Sequence, residues 1–149
     1  MLQSSHYMKR IVEAMVLVTK CCQFDGWLLN VECEVDSEKI PLLLEFIRLL
    51  TQRIHENIPD GKVFWYDSII RNGSLKWQNE LNEQNVMFYN ECDGILINYN
   101  WNKKNLEKTA NMVGAKELLT NVFIGIDVFG RGQVAKFHTI KVRFLSIKI

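Results

Sequence analysis

The stretches FDGWLLNVE (24–32) and CDGILINYN (92–100) share one plan: Asp-Gly, three apolar positions, Asn, any residue, then Glu or Asn. Asp-Gly makes a tight turn, because glycine reaches positive φ at little cost. The apolar run then starts a buried strand, and polar residues two apart share one of its faces. VFWYDS (63–68) and VFIGID (122–127) have the same apolar start and polar finish. The spacing predicts strands over 27–32, 63–68, 95–100 and 122–127, starting 36, 32 and 27 residues apart. An eight-unit β/α barrel of about 250 residues allots roughly 31 residues to each unit, which these intervals fit.

The intervening segments are helical in pattern. Ile11, Met15 and Val18 fall on one side of a helix expected over 5–20. Ser37 can cap a second helix, in which Ile40, Leu43, Leu44, Ile47, Leu50 and Ile54 recur at helical spacing and Pro41 sits in the first turn. The breaker PDG (59–61) ends it. SLKWQNEL (74–81) suggests a short third helix capped by Ser74, with Trp77 packing inward. Asn102 can cap a fourth that carries Leu106, Ala110 and Val113 and stops at Gly114. Alternating helices and continuous apolar strands imply an α/β fold with a parallel sheet covered on both faces.

Length and composition narrow the function classes. The 149 residues suit one domain, 48% of them are hydrophobic, and the net charge is +1. No basic footprint for nucleic acid and no polybasic membrane anchor is present. IVEAMVLV (11–18) follows Lys9 and Arg10 like a signal sequence, but Glu13 interrupts it and an amphipathic helix explains it better. No run approaches the roughly 20 apolar residues of a membrane span. Cys21, Cys22, Cys33 and Cys92 form no C-x-x-C pair, and His6, His55 and His138 lie far apart, so neither a metal site nor another cofactor is expected. Free thiols in a reduced, intracellular chain are the simplest account. GRG (130–132) lacks the spacing of a phosphate loop.

The polar strand ends carry the chemistry. In β/α folds functional groups collect where strands finish and the following loops open. Leu28, Asn30 and Glu32 share one face, so an amide and a carboxylate, attached roughly 7 Å apart, confront one cavity. Such a pair suits cleavage at C1 of a 2-acetamido sugar. The substrate's own acetamide oxygen closes an oxazoline ring, the amide holds and polarises it, and the carboxyl serves as acid and then base. The acid needs a raised pKa, which a dry, aromatic-lined cavity provides.

FDGWLLNVE, VFWYDSIIRNGSLKWQNELN, CDGILINYNW and VFIGIDVFGRG resemble, in order, motifs of glycoside hydrolase family 85, the cytosolic endo-β-N-acetylglucosaminidases. The resemblance runs over about 20–139, with weaker likeness upstream. It implies a TIM-type (β/α)8 barrel that cuts between the two core N-acetylglucosamines of N-linked glycans or free oligosaccharides, without a metal. It places the catalytic Asn-x-Glu on Asn30 and Glu32 and the active-site tyrosine on Tyr66. Asn98, Asn100, Trp101 and Asp127 would line the sugar cleft. Only about half of the barrel is represented: residues 1–139 form the partial catalytic domain, and 140–149 (KVRFLSIKI preceded by Ile140) form a divergent tail with strand-like alternation.

Two other readings stand beside this one. A truncated or pseudoenzyme chain would bind glycan without turnover, or associate with itself through open sheet edges. A conventional glycosidase would pair Glu32 with Asp67 or Asp127. Trp65 and Trp27 point away from the cavity and should be core, and Cys33 is a passive thiol.

Overall fold

The computed structural model describes residues 5–114 and 120–127. Four parallel strands lie side by side in chain order: β1 (Gly26–Leu29), β2 (Lys62–Tyr66), β3 (Gly94–Ile97) and β4 (Val122–Ile124). The helices are α1 (Ser5–Cys22), α2 (Ile40–Asn57), the single turn α3 (Val86–Tyr89) and α4 (Lys103–Val113). This is the expected partial β/α barrel. The strands are shorter than expected, because their polar ends turn out into loops. GRG (130–132), His138 and the 140–149 tail lie outside the described residues.

Strand alternation sorts the side chains into two layers. Val63, Trp65, Ile95 and Ile97 are all 0% exposed and face the helices. The Trp65 ring stacks on Phe88 with centroids 4.6 Å apart. Trp27 packs against this core and donates its indole N–H to Thr19 Oγ1 at 2.8 Å. On the opposite face Leu28 lies beside Phe64, and Tyr66 beside Leu96, which in turn lies beside Phe123. Both-sided cover was the expectation for such apolar strands, yet Leu28 is 48% and Phe123 44% exposed. Among the described residues only the helix-facing layer is covered.

The two Asp-Gly turns solve different problems. Gly26 does have positive φ (145°), and a Cβ there would stand 1.7 Å from the Lys62 carbonyl oxygen. Gly94 lacks positive φ and is required by proximity: a Cβ would lie 2.2 Å from the carbonyl oxygen of Asn121. In both, strand backbones approach too closely for a side chain.

Three helix expectations change. The buried stripe of α1 is Met8, Val12, Val16 and Thr19, while Val18 is 42% exposed. Apolar residues surround much of this helix, so packing chose its inward face. Ser37 begins a 3-10 turn (Ser37–Lys39) instead of capping α2, whose N-cap is Lys39 without a side-chain bond. The α2 stripe itself is as expected except that Leu44 is only half-buried and Phe46 joins it.

Residues 74–81 form no helix. Ile69 and Leu75 make an antiparallel bridge, and Asn79 adopts left-handed φ of 58°. The Asp67 carboxylate takes the backbone N–H groups of Gln78 and Asn79, which a helix would have needed. Trp77 is consequently exposed (42%) rather than packed. By contrast, Asn102 caps α4 as expected and forms a reciprocal capping box with Asn105.

Candidate active site

Parallel strands finish on one edge of the sheet, so Leu29, Tyr66, Ile97 and Ile124 bring their loops to the same end. Asn30 and Glu32 follow β1 directly. Both are exposed, and Asn30 Nδ2 donates to Glu32 Oε1 at 3.3 Å. The carboxamide and the carboxylate therefore do share one side. β1 pairs with β2 as far as Leu29 against Trp65, the residues just before Asn30 and Tyr66, and the Glu32 charge acts on the Tyr66 phenol. The enclosing aromatic cavity expected around Glu32 is not built by the described residues, in which Glu32 stays open to solvent.

Tyr66 links this pair to β3. Its hydroxyl donates to Asn98 Oδ1 at 2.8 Å, and Asn98 is only 4% exposed. Burial, followed by the negative charge of Glu32 and by Tyr99 and Asp67, pushes the Tyr66 phenol up to about 12. It keeps its proton at neutral pH.

Beneath these groups lies a buried carboxylate. Asp67 is 1% exposed and accepts from the Gln78 and Asn79 backbone, from Asn85 Nδ2 at 3.0 Å and, at 3.5 Å, from the Asn98 N–H. Burial pushes its carboxyl up and those four donors pull it down, with burial the stronger. With its oxygens turned inward onto N–H groups, Asp67 is poorly placed to face substrate as a second carboxylate beside Glu32. The helical reading of 74–81 hides Asn79 and turns Trp77 inward, and Asn85 lies just beyond it. The Asn-rich run NGSLKWQNELNEQN (72–85) was the available signal, since asparagine favours turns over helix interiors.

The remaining candidates are arranged less directly. The Asn100 backbone N–H donates to Asn79 Oδ1 at 3.0 Å, and its side chain lies on the exposed surface. Trp101 is 5% exposed, packs with Leu106 and Ile124, and donates to the Gly125 carbonyl at 2.8 Å. It supports the strand ends from below. Asp127 is half-buried, three residues past the end of β4. Thus Asn30, Glu32, Tyr66 and Asn98 form the assembled group, Asn100 joins it through Asn79, and Asp127 shares only the edge.

Comparisons with known proteins bear on the family and the fold. The model of glycosyl hydrolase family 85 matches residues 1–145. The chain is 43% identical over 130 residues to the cytosolic endo-beta-N-acetylglucosaminidase of Gallus gallus, covering 87% of this chain and 17% of that protein. It is 39% identical over 133 residues to the Homo sapiens protein of the same name, covering 88% and 18% respectively. This chain therefore spans less than a fifth of the curated relatives it matches. Among solved structures, the glycoside hydrolase domain of Endo-D from Streptococcus pneumoniae R6 superposes with a TM-score of 0.63 at 25% identity, over 82% of this chain and 20% of that one. A class V chitinase from Pseudomonas fluorescens Pf-5 shares the fold, with a TM-score of 0.56 at 14% identity, over 81% of this chain and 41% of that one. Matched by the family model over residues 1–145 and 43% and 39% identical to these two relatives, the chain belongs to glycosyl hydrolase family 85.

Proposed function

We propose that this chain carries the catalytic strand ends of a cytosolic endo-β-N-acetylglucosaminidase that cleaves the GlcNAc-β-1,4-GlcNAc core of N-linked glycans or free oligosaccharides. The observation that carries the reading is the Asn30–Glu32 contact: a carboxamide and a carboxyl side by side just past the end of β1, where Tyr66 ends the neighbouring strand. The names of the relatives supply the β-N-acetylglucosaminide linkage and the cytosolic setting.

In this reading Glu32 gives its proton to the departing sugar oxygen as the C1–O bond breaks. The acetamide oxygen of the same sugar bonds to C1, forming an oxazoline, while Asn30 orients and polarises the acetamide. Glu32, now a carboxylate, takes a proton from water as that water opens the ring at C1. Two displacements at one carbon give net retention. Tyr66 and Asn98 border the acetamide side, and Asn100, Trp101 and Asp127 complete or support the sugar cleft. No metal enters the scheme.

The exposed inner face supports a further element of this proposal, self-association. β1 and β4 each have one neighbouring strand among the described residues, and each carries an exposed apolar side chain, Leu28 and Phe123. A second copy would cover that apolar face. The deciding experiment for the enzymatic reading is release of free oligosaccharide from an N-glycosylated peptide by the purified chain, with anomeric configuration followed by NMR. Release with retention is expected. Binding without release would leave only a glycan-binding chain.

A further inference from the structure

The buried polar network under Tyr66 has a direction, and that direction can be deduced. A backbone N–H can only donate, so the side-chain atom of Asn79 that meets the Asn100 N–H at 3.0 Å must be its oxygen. Asn98 meets the same oxygen at 2.8 Å and must therefore offer its NH2 group. The other end of the Asn98 amide, facing the Tyr66 hydroxyl at 2.8 Å, is then its carbonyl oxygen. A carbonyl cannot donate, so the phenol must. Asn79 is itself held in place: its backbone N–H donates to Asp67 Oδ2 at 2.7 Å, and its φ of 58° turns the side chain toward Asn98 and Asn100.

We propose that Asp67 and Asn79 are positioning residues that set the polarity of the Tyr66–Asn98 hydrogen bond, so that Tyr66 spends its proton inward and meets the cleft as an acceptor only. The catalytic meaning of this arrangement rests on the hydrolase reading above. Lone pairs on the cleft side of the phenol favour a donor there, such as a substrate N–H or a protonated Glu32, and offer a bare carboxylate nothing. With its NH2 fixed on Asn79, the Asn98 amide cannot turn to stabilise a phenolate, which holds Tyr66 protonated while Glu32 cycles between acid and base.

The test uses the full 149-residue chain with 3,5-difluorotyrosine at position 66, titrated by 19F NMR, so that the phenol ionises within the range where the protein is folded. Asn79→Gly tolerates the left-handed φ but deletes the amide oxygen, freeing Asn98 to rotate and donate to the phenolate. Its titration midpoint should fall by about one unit. Asn79→Asp keeps an oxygen acceptor at the same place and should show no such fall. A purely structural role would lower the melting temperature of Asn79→Gly and leave its midpoint where it was, and that result overturns the proposal. So does an equal fall in Asn79→Asp. Turnover is not read at any point, so failure of the hydrolase reading in the oligosaccharide assay is distinguishable from failure of this one.

Discussion

The carboxylate of Asp93 accepts the backbone N–H of Val63 at 2.8 Å, so the aspartate before β3 caps the start of β2. His55 Nε2 meets both of its oxygens, at 2.9 and 3.0 Å, and Lys62 Nζ lies 3.3 Å away. Asp25, the corresponding aspartate before β1, is exposed and offers its backbone carbonyl to Lys62 instead. The two copies of the motif therefore differ in energy. Asp93→Ala should lower unfolding free energy by about 2 kcal/mol, since it strands a partly buried N–H, and Asp25→Ala should change it by less than about 0.5 kcal/mol. Urea denaturation of the two variants measures the contrast.

Gly94→Ala should be among the most damaging single-methyl additions. Its Cβ would stand 2.2 Å from a backbone oxygen, and the sheet must part to admit it. A loss of about 3 kcal/mol or more is expected. Gly114→Ala meets nothing within 4 Å, but φ of 80° with ψ of 157° is backbone that glycine almost alone adopts, so it should cost about 2 kcal/mol. Thermal melts that rank these two variants the other way would contradict the strand spacing.

Acid should loosen the loop before α3 from α4. Burial opposes ionisation of Glu80, but hydrogen bonds from Asn82, Asn105 and Lys108, with the Lys108 charge, outweigh it and hold the carboxyl below its ordinary value of 4.5. A depressed folded-state value means the stabilisation is present above 4.5 and disappears as pH falls through the folded-state value. Glu80→Gln should flatten the stability profile below that point, as read by denaturant midpoints at successive pH values.

In the proposed scheme Glu32→Gln should reduce oligosaccharide release by about 1000-fold in an active form, because that scheme makes Glu32 both proton donor and acceptor. Asn30→Ala should cost about 100-fold or more through the acetamide. A mild Asn30→Ala effect, together with cleavage of substrates lacking the acetamide, would indicate a conventional two-carboxylate route.

Leu28→Lys should weaken self-association without unfolding the chain, since Leu28 is 48% exposed on the inner face. Sedimentation velocity across a concentration series should show a smaller shift toward the dimer than the unmodified chain. Circular dichroism should be unchanged.

Period and punctuation made most of this architecture readable before any coordinates. Apolar runs about one β/α unit apart, Pro41 near the start of α2, and Asn102 at α4 all act over a few residues, where local sterics and hydrogen bonding decide. The pairing of Asn30 with Glu32 was equally legible, because a spacing of two along an extended chain puts both on one side.

Other features depended on distant partners. The helical pattern of 74–81 yielded to the Asp67 carboxylate, which competes for the N–H groups of Gln78 and Asn79 from across a loop. The inward stripe of α1 was chosen by packing among several apolar sides, and Trp101 went to support rather than to the open surface. Composition and spacing determined the α/β units and the edge where their polar residues gather. Tertiary structure alone decided which asparagine accepts, which tyrosine oxygen stays free to accept, and which glycine is needed for space, because those outcomes depend on atoms many residues away.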